Sequence, residues 1–248
     1  MILKYLIFLS CIVYALGSSN DDTRVIGGQN ASLNQFPYQV SLRYKGTHSC
    51  GGSILDSKTI LLAAHCVAGS SSSLMTIRLG HTQLNAQTEE YPVKSFTIHD
   101  DYDPFKVIND IAIIKLTQPI LLRDGVQAIT LPQKDTLPGE DVTLSGWGLT
   151  SYPGGKPNDL QFINLKTISL EDCVHAHNAS KQPIMETELC TLTTKGEGAC
   201  QGDSGGPLVD SNGVQVGIVS WGKPCALGYP DVFTRVYSFL TWIKQNRH

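Results

Sequence analysis

Three features of the sequence predict an all-β fold. Short runs rich in β-branched and aromatic residues recur along the chain, clusters of Gly, Pro, Asn and Ser separate them, and one convincing long helical pattern stands at the carboxyl end. Short strands punctuated by turn residues are the rhythm of β-barrels and sandwiches.

At the amino terminus, Lys4, the apolar run from Tyr5 to Leu16 and the small residues Ala15, Gly17 and Ser18 form the pattern of a secretory signal peptide over residues 1–17. That run falls short of the roughly 20 apolar residues a membrane-spanning helix needs. The expectation is therefore a secreted, extracellular chain with no membrane partner. Strands are expected over 38–43, 59–62, 76–79 and 111–116, and again over 142–144, 160–165 and 214–220. The polar, turn-rich stretch 132–140 between the two groups marks a boundary between halves. Ser238 is placed to cap a terminal helix over 238–248, with apolar Leu240, Trp242 and Ile243.

Composition excludes several classes of function. With 248 residues, 41% hydrophobic and 17% charged, the chain has enough apolar content for real cores and is too weakly charged to be disordered. Lys and Arg (19) do not outnumber Asp and Glu (22), and no basic cluster stands out in the sequence, which argues against a nucleic-acid partner. Of the seven cysteines, Cys11 leaves with the signal peptide, so the exported chain keeps six in an oxidising compartment. Six cysteines allow fifteen pairings, and spacing alone does not choose among them. A zinc site is the competing reading, but there is no C-x-x-C and the spacings match no common finger, so no metal is expected. His175 and His177 read as a solvated pair, and His48, His81 and His99 as surface residues.

The chemistry sits in three short segments. Leu62-Ala-Ala-His65-Cys66, Asn109-Asp110-Ile-Ala112 and Gly202-Asp203-Ser204-Gly-Gly-Pro207 supply one His, one Asp and one Ser. Singly, each has an ordinary structural reading: a His beside a Cys is packing, and an Asp before an apolar strand caps a turn. Together they match the needs of amide hydrolysis, namely an activated hydroxyl, a base that becomes an acid, and a carboxylate to orient that base.

These segments stand in register with Val25-Ile-Gly-Gly28, Ser145-Gly-Trp-Gly148, Ser220-Trp-Gly222 and Pro230-Asp-Val-Phe-Thr-Arg235. In this series, residues 25–248 resemble the trypsin-like serine peptidases of the chymotrypsin fold. The stretches Gly196-Glu-Gly-Ala-Cys200 and Pro224-Cys-Ala-Leu-Gly228 look most like insect chymotrypsin-like enzymes. The resemblance implies two six-stranded antiparallel Greek-key barrels, over about 25–134 and 135–237, followed by the helix. It implies a cleft in which Ser204 attacks, His65 takes its proton, Asp110 orients His65, and the N–H groups of Gly202 and Ser204 form the oxyanion hole. Ser220 is implied to bond near Asp110, and the backbone of Ser220-Trp-Gly222 to pair with substrate.

The same resemblance implies a zymogen. An activating protease would cut after Arg24, releasing the propeptide 18–24, and the new Val25 ammonium would pair with Asp203. The implied disulfides are Cys50–Cys66, Cys173–Cys190 and Cys200–Cys225, with Val142 and Asp210 where some relatives carry a further pair. Substrate would be held by Gly198, Ala199, Gln201, Ser220, Trp221, Gly222 and Asp231. Gly198 at the pocket floor, where an Asp would select Arg or Lys, predicts a chymotrypsin-like preference for large apolar or aromatic residues. Asp231 stands where many relatives have Gly, so a carboxylate is expected near that floor. It could narrow the pocket, accept Arg or Lys weakly, or sit hydrated and silent, which keeps broad or elastase-like cleavage as the rival. The loop beginning at His81 lacks the acidic residue of the family's calcium site, and Glu89-Glu90 is a weak oxygen cage. The expected partners are protein and peptide substrates and proteinaceous inhibitors, for a monomer without cofactor. Asn30 and Asn178 fit the N-glycosylation sequon. The intact triad weighs against a non-catalytic binding homologue, and the absence of an appended module favours a digestive or venom role over a cascade.

Overall fold

The computed structural model describes residues 26–247 except 152, 179–181, 193, 224 and 226. The expected signal peptide, Arg24, Val25 and the end of the Asn178 sequon lie outside the described residues. After a two-residue strand, Gln29–Asn30 (β1), the strands Gln39–Tyr44 (β2) and Thr47–Asp56 (β3) make a hairpin. Lys45 and Gly46 form its turn with φ of 50° and 81°, the mirror-image geometry that matches strand twist. Thr59–Leu62 (β4), Met75–Leu79 (β5), Tyr91–Ile98 (β6) and Ala112–Leu116 (β7) follow, and the six close an antiparallel barrel in the order β2-β3-β4-β7-β6-β5.

The second barrel is built from Asp141–Gly146 (β8), Gln161–Ile168 (β9), Glu188–Thr191 (β10), Pro207–Asp210 (β11), Gln215–Trp221 (β12) and Asp231–Arg235 (β13). Its order is β9-β10-β13-β12-β11-β8, closed by the pairing of β8 with β9. β1 adds to β9, with Gln29 opposite Phe162, so the start of the first half in sequence is tied to the second barrel. Val142 and Asp210 lie opposite each other on β8 and β11.

Burial explains the strand sequences. β4 is buried at every position because both of its faces are covered. Ile60 and Leu62 face the first core with Val40, Leu42, Ile77 and Ile114. Leu61 faces the opposite way, joining Ile111, Ile113, Val209, Ile218, Phe239 and Ile243 between the barrels. Polar ties cross the same junction: Ser145 Oγ donates to Gln39 at 2.7 Å and Ser53 Oγ to Gln215 at 2.6 Å. The second core holds Val142, Leu144, Leu165, Leu208, Val216 and Phe233.

The terminal helix departs from expectation. Residues Val236–Phe239 form a 3-10 turn that contains Ser238, and the α-helix runs only over Leu240–Asn246 without a side-chain cap. An unpredicted helix, Leu170–Ala176 (α1; the terminal helix is α2), is capped by Ser169, whose hydroxyl accepts from the Asp172 N–H. No helix among the described residues is long and apolar enough to cross a membrane.

Three histidines read as solvated are packed instead. His48 is buried, accepting from the Ser41 hydroxyl at 2.8 Å and donating to the Gly202 carbonyl at 3.0 Å. His99 packs against Phe239 and Trp242, each 5.3 Å between ring centres. His177 is buried in contact with Trp221 and donates to the Pro230 carbonyl at 2.9 Å. Short segments spaced at random in sequence gave no hint of these contacts, which only the closed barrels create. His81 is half-buried as well, against Trp147.

Candidate active site

The short 3-10 turn Ala64–Cys66 after β4 carries His65, and Asp110 lies two residues before β7. Asp110 is 1% exposed. It accepts from the His65 N–H at 2.9 Å, from His65 Nδ1 at 2.7 Å and from the Ser220 hydroxyl at 2.6 Å. The Thr234 hydroxyl holds its carbonyl at 2.7 Å. Three donors on one buried carboxylate fix both the tautomer and the orientation of His65, leaving Nε2 as the free lone pair.

The turn that carries Ser204 packs against the first barrel beside the His65 turn. The Ser204 carbonyl accepts from the Gly51 N–H at 2.8 Å. A Cβ on the next residue, Gly205, would lie 2.9 Å from the Gly51 carbonyl oxygen, 3.0 Å from Cys66 Sγ and 3.3 Å from the Ala63 nitrogen. One on Gly51 would lie 2.9 Å from Gly206 Cα. The glycines on both sides therefore allow the Ser204 turn to press against the turn that carries His65. The Cys50–Cys66 disulfide braces the same contact. Cys50, Cys66 and His65 bring ligand-type atoms within 4.8 Å of one another, but both sulfurs are committed to the bridge, so the trio offers a metal no thiolates.

Beside Ser204, Gly202 has φ of 107°, a conformation that favours glycine. Among the described residues, neither the Gly202 nor the Ser204 N–H has an acceptor within the chain. Two unpaired donors at a strained turn can stabilise a developing oxyanion. Asp203 between them is fully buried, accepting from the Gly148 N–H at 2.8 Å and the Cys200 N–H at 3.0 Å. A Cβ on Gly146 or Gly148 would fall 2.0 or 2.1 Å from its carboxylate oxygens, so the Ser145-Gly-Trp-Gly148 segment makes room for that carboxylate. Burial pushes the Asp203 carboxyl up to about 6 against its two hydrogen bonds.

A cavity of about 230 Å³ opens next to Ser204, lined by Ala199, Gln201, Ser220, Trp221, Gly222 and Asp231 among others. The Cys200–Cys225 disulfide joins two of its walls. Asp231 sits at its base. Its carboxylate accepts from the Ala199 N–H at 2.7 Å, and a Cβ on Gly198 would lie 2.5 Å from its Oδ2, one on Gly222 3.2 Å from its Oδ1. Burial, helped by repulsion from Asp203, pushes the Asp231 carboxyl up to about 7 despite the hydrogen bond. The structure thus brings the sequence-predicted pocket residues together, with the carboxylate occupying the space above Gly198.

Behind the pocket lie two side chains that sequence reasoning missed. Glu188, 2% exposed, accepts from the Trp221 indole at 3.0 Å and from the Met185 N–H at 2.8 Å. His177 stacks edge-on against the same indole at 5.1 Å. A Glu at the start of a short strand whose every position is buried marks the site in the structure. The third disulfide, Cys173–Cys190, ties α1 to β10 on that side.

Comparison with known proteins agrees with this geometry. The sequence profile of the Trypsin family matches residues 25–243. Chymotrypsin-2 of Vespa crabro is 43% identical over 224 residues, which cover 90% of this chain and all of that protein. Trypsin delta of Drosophila melanogaster is 38% identical over 98% of this chain and 99% of its own. Trypsin alpha-4 of Lucilia cuprina is 37% identical over 97% of each.

Proposed function

The chain belongs to the trypsin family of serine endopeptidases, and on that premise we propose that it is a secreted enzyme, made as a zymogen, with a chymotrypsin-like preference for large apolar or aromatic residues on the acyl side of the scissile bond. Ser204 attacks the carbonyl carbon while His65 Nε2 takes the hydroxyl proton. Asp110 stabilises the resulting imidazolium without being protonated itself. The oxyanion is received by the Gly202 and Ser204 N–H groups. His65 then protonates the leaving amine, and water repeats the sequence on the acyl-enzyme to release the acid and restore Ser204.

The observation that carries this reading is the triply hydrogen-bonded Asp110, which links His65 of one barrel to Ser220 of the other at the mouth of the pocket beside Ser204. A fluorophosphonate probe tests it. After cleavage at Arg24 the probe should label the protein once, at Ser204, and Ser204→Ala should abolish labelling. Labelling that persists in that variant would overturn the assignment.

Activation has separate support. The Gly198 N–H donates to the Ile26 carbonyl at 3.1 Å, and a Cβ on Gly27 would lie 2.5 Å from Glu197 Cγ. The chain immediately after Val25 therefore docks next to the segment that leads to Asp203. A buried carboxylate gains most from an added ammonium partner. Arg24→Gln should stay inactive after trypsin treatment, as read by ester hydrolysis.

A second specificity reading rests on Asp231. With its carboxylate ionised, the pocket base offers a partner to Lys or Arg, and cleavage becomes broader. Comparing kcat/KM for Phe, Leu, Val and Arg anilides, with Asp231→Gly as control, separates the two readings.

A further inference from the structure

Away from the cleft, one cavity is dominated by cations. A groove of about 480 Å³ on the wall of the first barrel runs between the β3–β4 turn, β6, the end of β7 and Arg247. Lys58, Lys94, Lys115 and Arg247 line it against one carboxylate, Asp56, in a chain whose net charge is -3. Asp56 is engaged by Arg247 at 2.8 Å. Among the described residues the half-buried Lys115 ammonium hydrogen-bonds neutral partners, the Thr59 hydroxyl at 3.2 Å and the Arg247 carbonyl at 2.5 Å. Lys58 and Lys94 are exposed, and among the described residues neither has a carboxylate within ion-pair distance. Concentrating unpaired cations in one concave site raises the local concentration of anions.

We propose that this groove binds a sulfated polysaccharide. Ser57, Ser95 and Thr117 stand beside the ammonium groups, and a sulfate ester accepts from hydroxyl and ammonium alike. An acidic polypeptide fits less well. β4, β6 and β7 are each paired on both sides within a closed barrel, so no free edge is left for an added strand. Among the described residues Leu116 is the only large apolar side chain in the lining, leaving little for peptide side chains to bury against. The groove is also separate from the cleft. Lys58 precedes His65 by seven positions along β4 and its following turn, roughly 20 Å at strand rise. A bound chain would tether the enzyme without filling the pocket.

The test measures binding of a fluorescently labelled heparin oligosaccharide to the purified full chain by anisotropy, with polyglutamate and inorganic sulfate as competitors. The double substitution Lys58→Glu with Lys94→Glu should weaken heparin binding by about tenfold or more, equivalent to about 1.4 kcal/mol. Binding should also weaken as salt is raised. Hydrolysis of a small anilide substrate and the thermal midpoint should be unchanged in the variant, which controls for folding. Unaltered heparin binding in the double variant would overturn the proposal. So would polyglutamate competing as strongly as unlabelled heparin, which would make the groove an acidic-peptide site, or complete displacement by low-millimolar sulfate, which would make it a simple anion site.

Discussion

Asp110 and Asp231 are both buried aspartates at the cleft, one behind His65 and one under the substrate cavity, and their surroundings differ sharply. Asp110 receives three hydrogen bonds, two from His65 and one from Ser220. Asp231 receives one, from the Ala199 N–H, and faces Asp203 as a like charge. Depth of burial is similar, at 1% and 9% exposure, so donor count and neighbouring charge separate them. Burial makes ionisation expensive for any carboxylate, and donors offset that cost. The first site is therefore built to hold an anion, whereas the second carries a carboxyl whose charge changes near neutral pH. Catalysis needs the first property. Substrate choice is where the second can act.

The largest test removes the anion from the first site. Asp110→Asn keeps the size of the side chain but offers an amide to His65 Nδ1, favouring the wrong tautomer. We expect kcat to fall by about 10⁴-fold, with the thermal midpoint changed far less, as read by steady-state ester hydrolysis and calorimetry. A similar loss in Asp231→Asn would erase the distinction between the two sites.

Stability against pH gives the next largest effect. The folded carboxyl of Asp231 titrates at about 7, against an ordinary value of 3.8. Between those values the native state keeps a proton that the unfolded chain has lost. Stability from this group is thus highest below about pH 4, declines as pH rises to about 7, and is level above that. Asp231→Asn removes the decline. The variant should gain on the parent by up to about 4 kcal/mol between pH 4 and pH 8, measured by urea unfolding at each pH. A constant difference across that range would show that Asp231 does not titrate in the folded protein.

Selectivity follows the same charge. Below about pH 7 the pocket base is neutral and favours Phe; above it the carboxylate can meet a guanidinium. The ratio of kcat/KM for Arg over Phe anilides should rise by about tenfold from pH 6 to pH 8.5, the scale of one partly buried ion pair. Any pH effect common to both substrates cancels in the ratio. Asp231→Asn should flatten the curve, and a flat ratio in the parent would favour a silent, hydrated carboxylate.

The two sites were also unequally legible in sequence. His65, Asp110 and Ser204 each sit in a distinctive local segment, so they stood out as candidates in the sequence. The position of Asp231 could be counted, but its single hydrogen bond and its contact with Gly198 depend on how two strands and a loop converge. Strands went unseen for related reasons. β3 contains Gly51 and Gly52, which weaken any strand pattern, yet Gly51 is required because Gly206 passes 2.9 Å from where its Cβ would stand. β6 carries Pro92 and a largely exposed face, and β11 opens on Pro207. α1 did have a signal: Ser169 followed by Asp172, three residues on, is a helix cap. His48 and His177 owe their burial to carbonyls 154 and 53 residues away in the chain, a separation at which local pattern carries no information.

The smallest of these effects sharpens the donor-count argument itself. Ser220→Ala takes one donor from Asp110 and leaves both bonds to His65 in place. If three donors act together to hold the anion, losing one weakens that hold by the worth of a hydrogen bond to a charged group, about 1.5–3 kcal/mol before the site readjusts. Only part of this appears in the transition state, because the imidazolium formed there still attracts the carboxylate. We expect kcat to fall by about tenfold with KM little changed, as read by steady-state ester hydrolysis. Ser220→Thr, which keeps the hydroxyl, should recover most of the rate if the methyl group is accommodated. A loss as large as that of Asp110→Asn would mean that Ser220 positions the whole carboxylate rather than contributing one bond to it. No loss at all would mean that His65 alone suffices to hold Asp110, and donor count would no longer explain why this aspartate differs from Asp231.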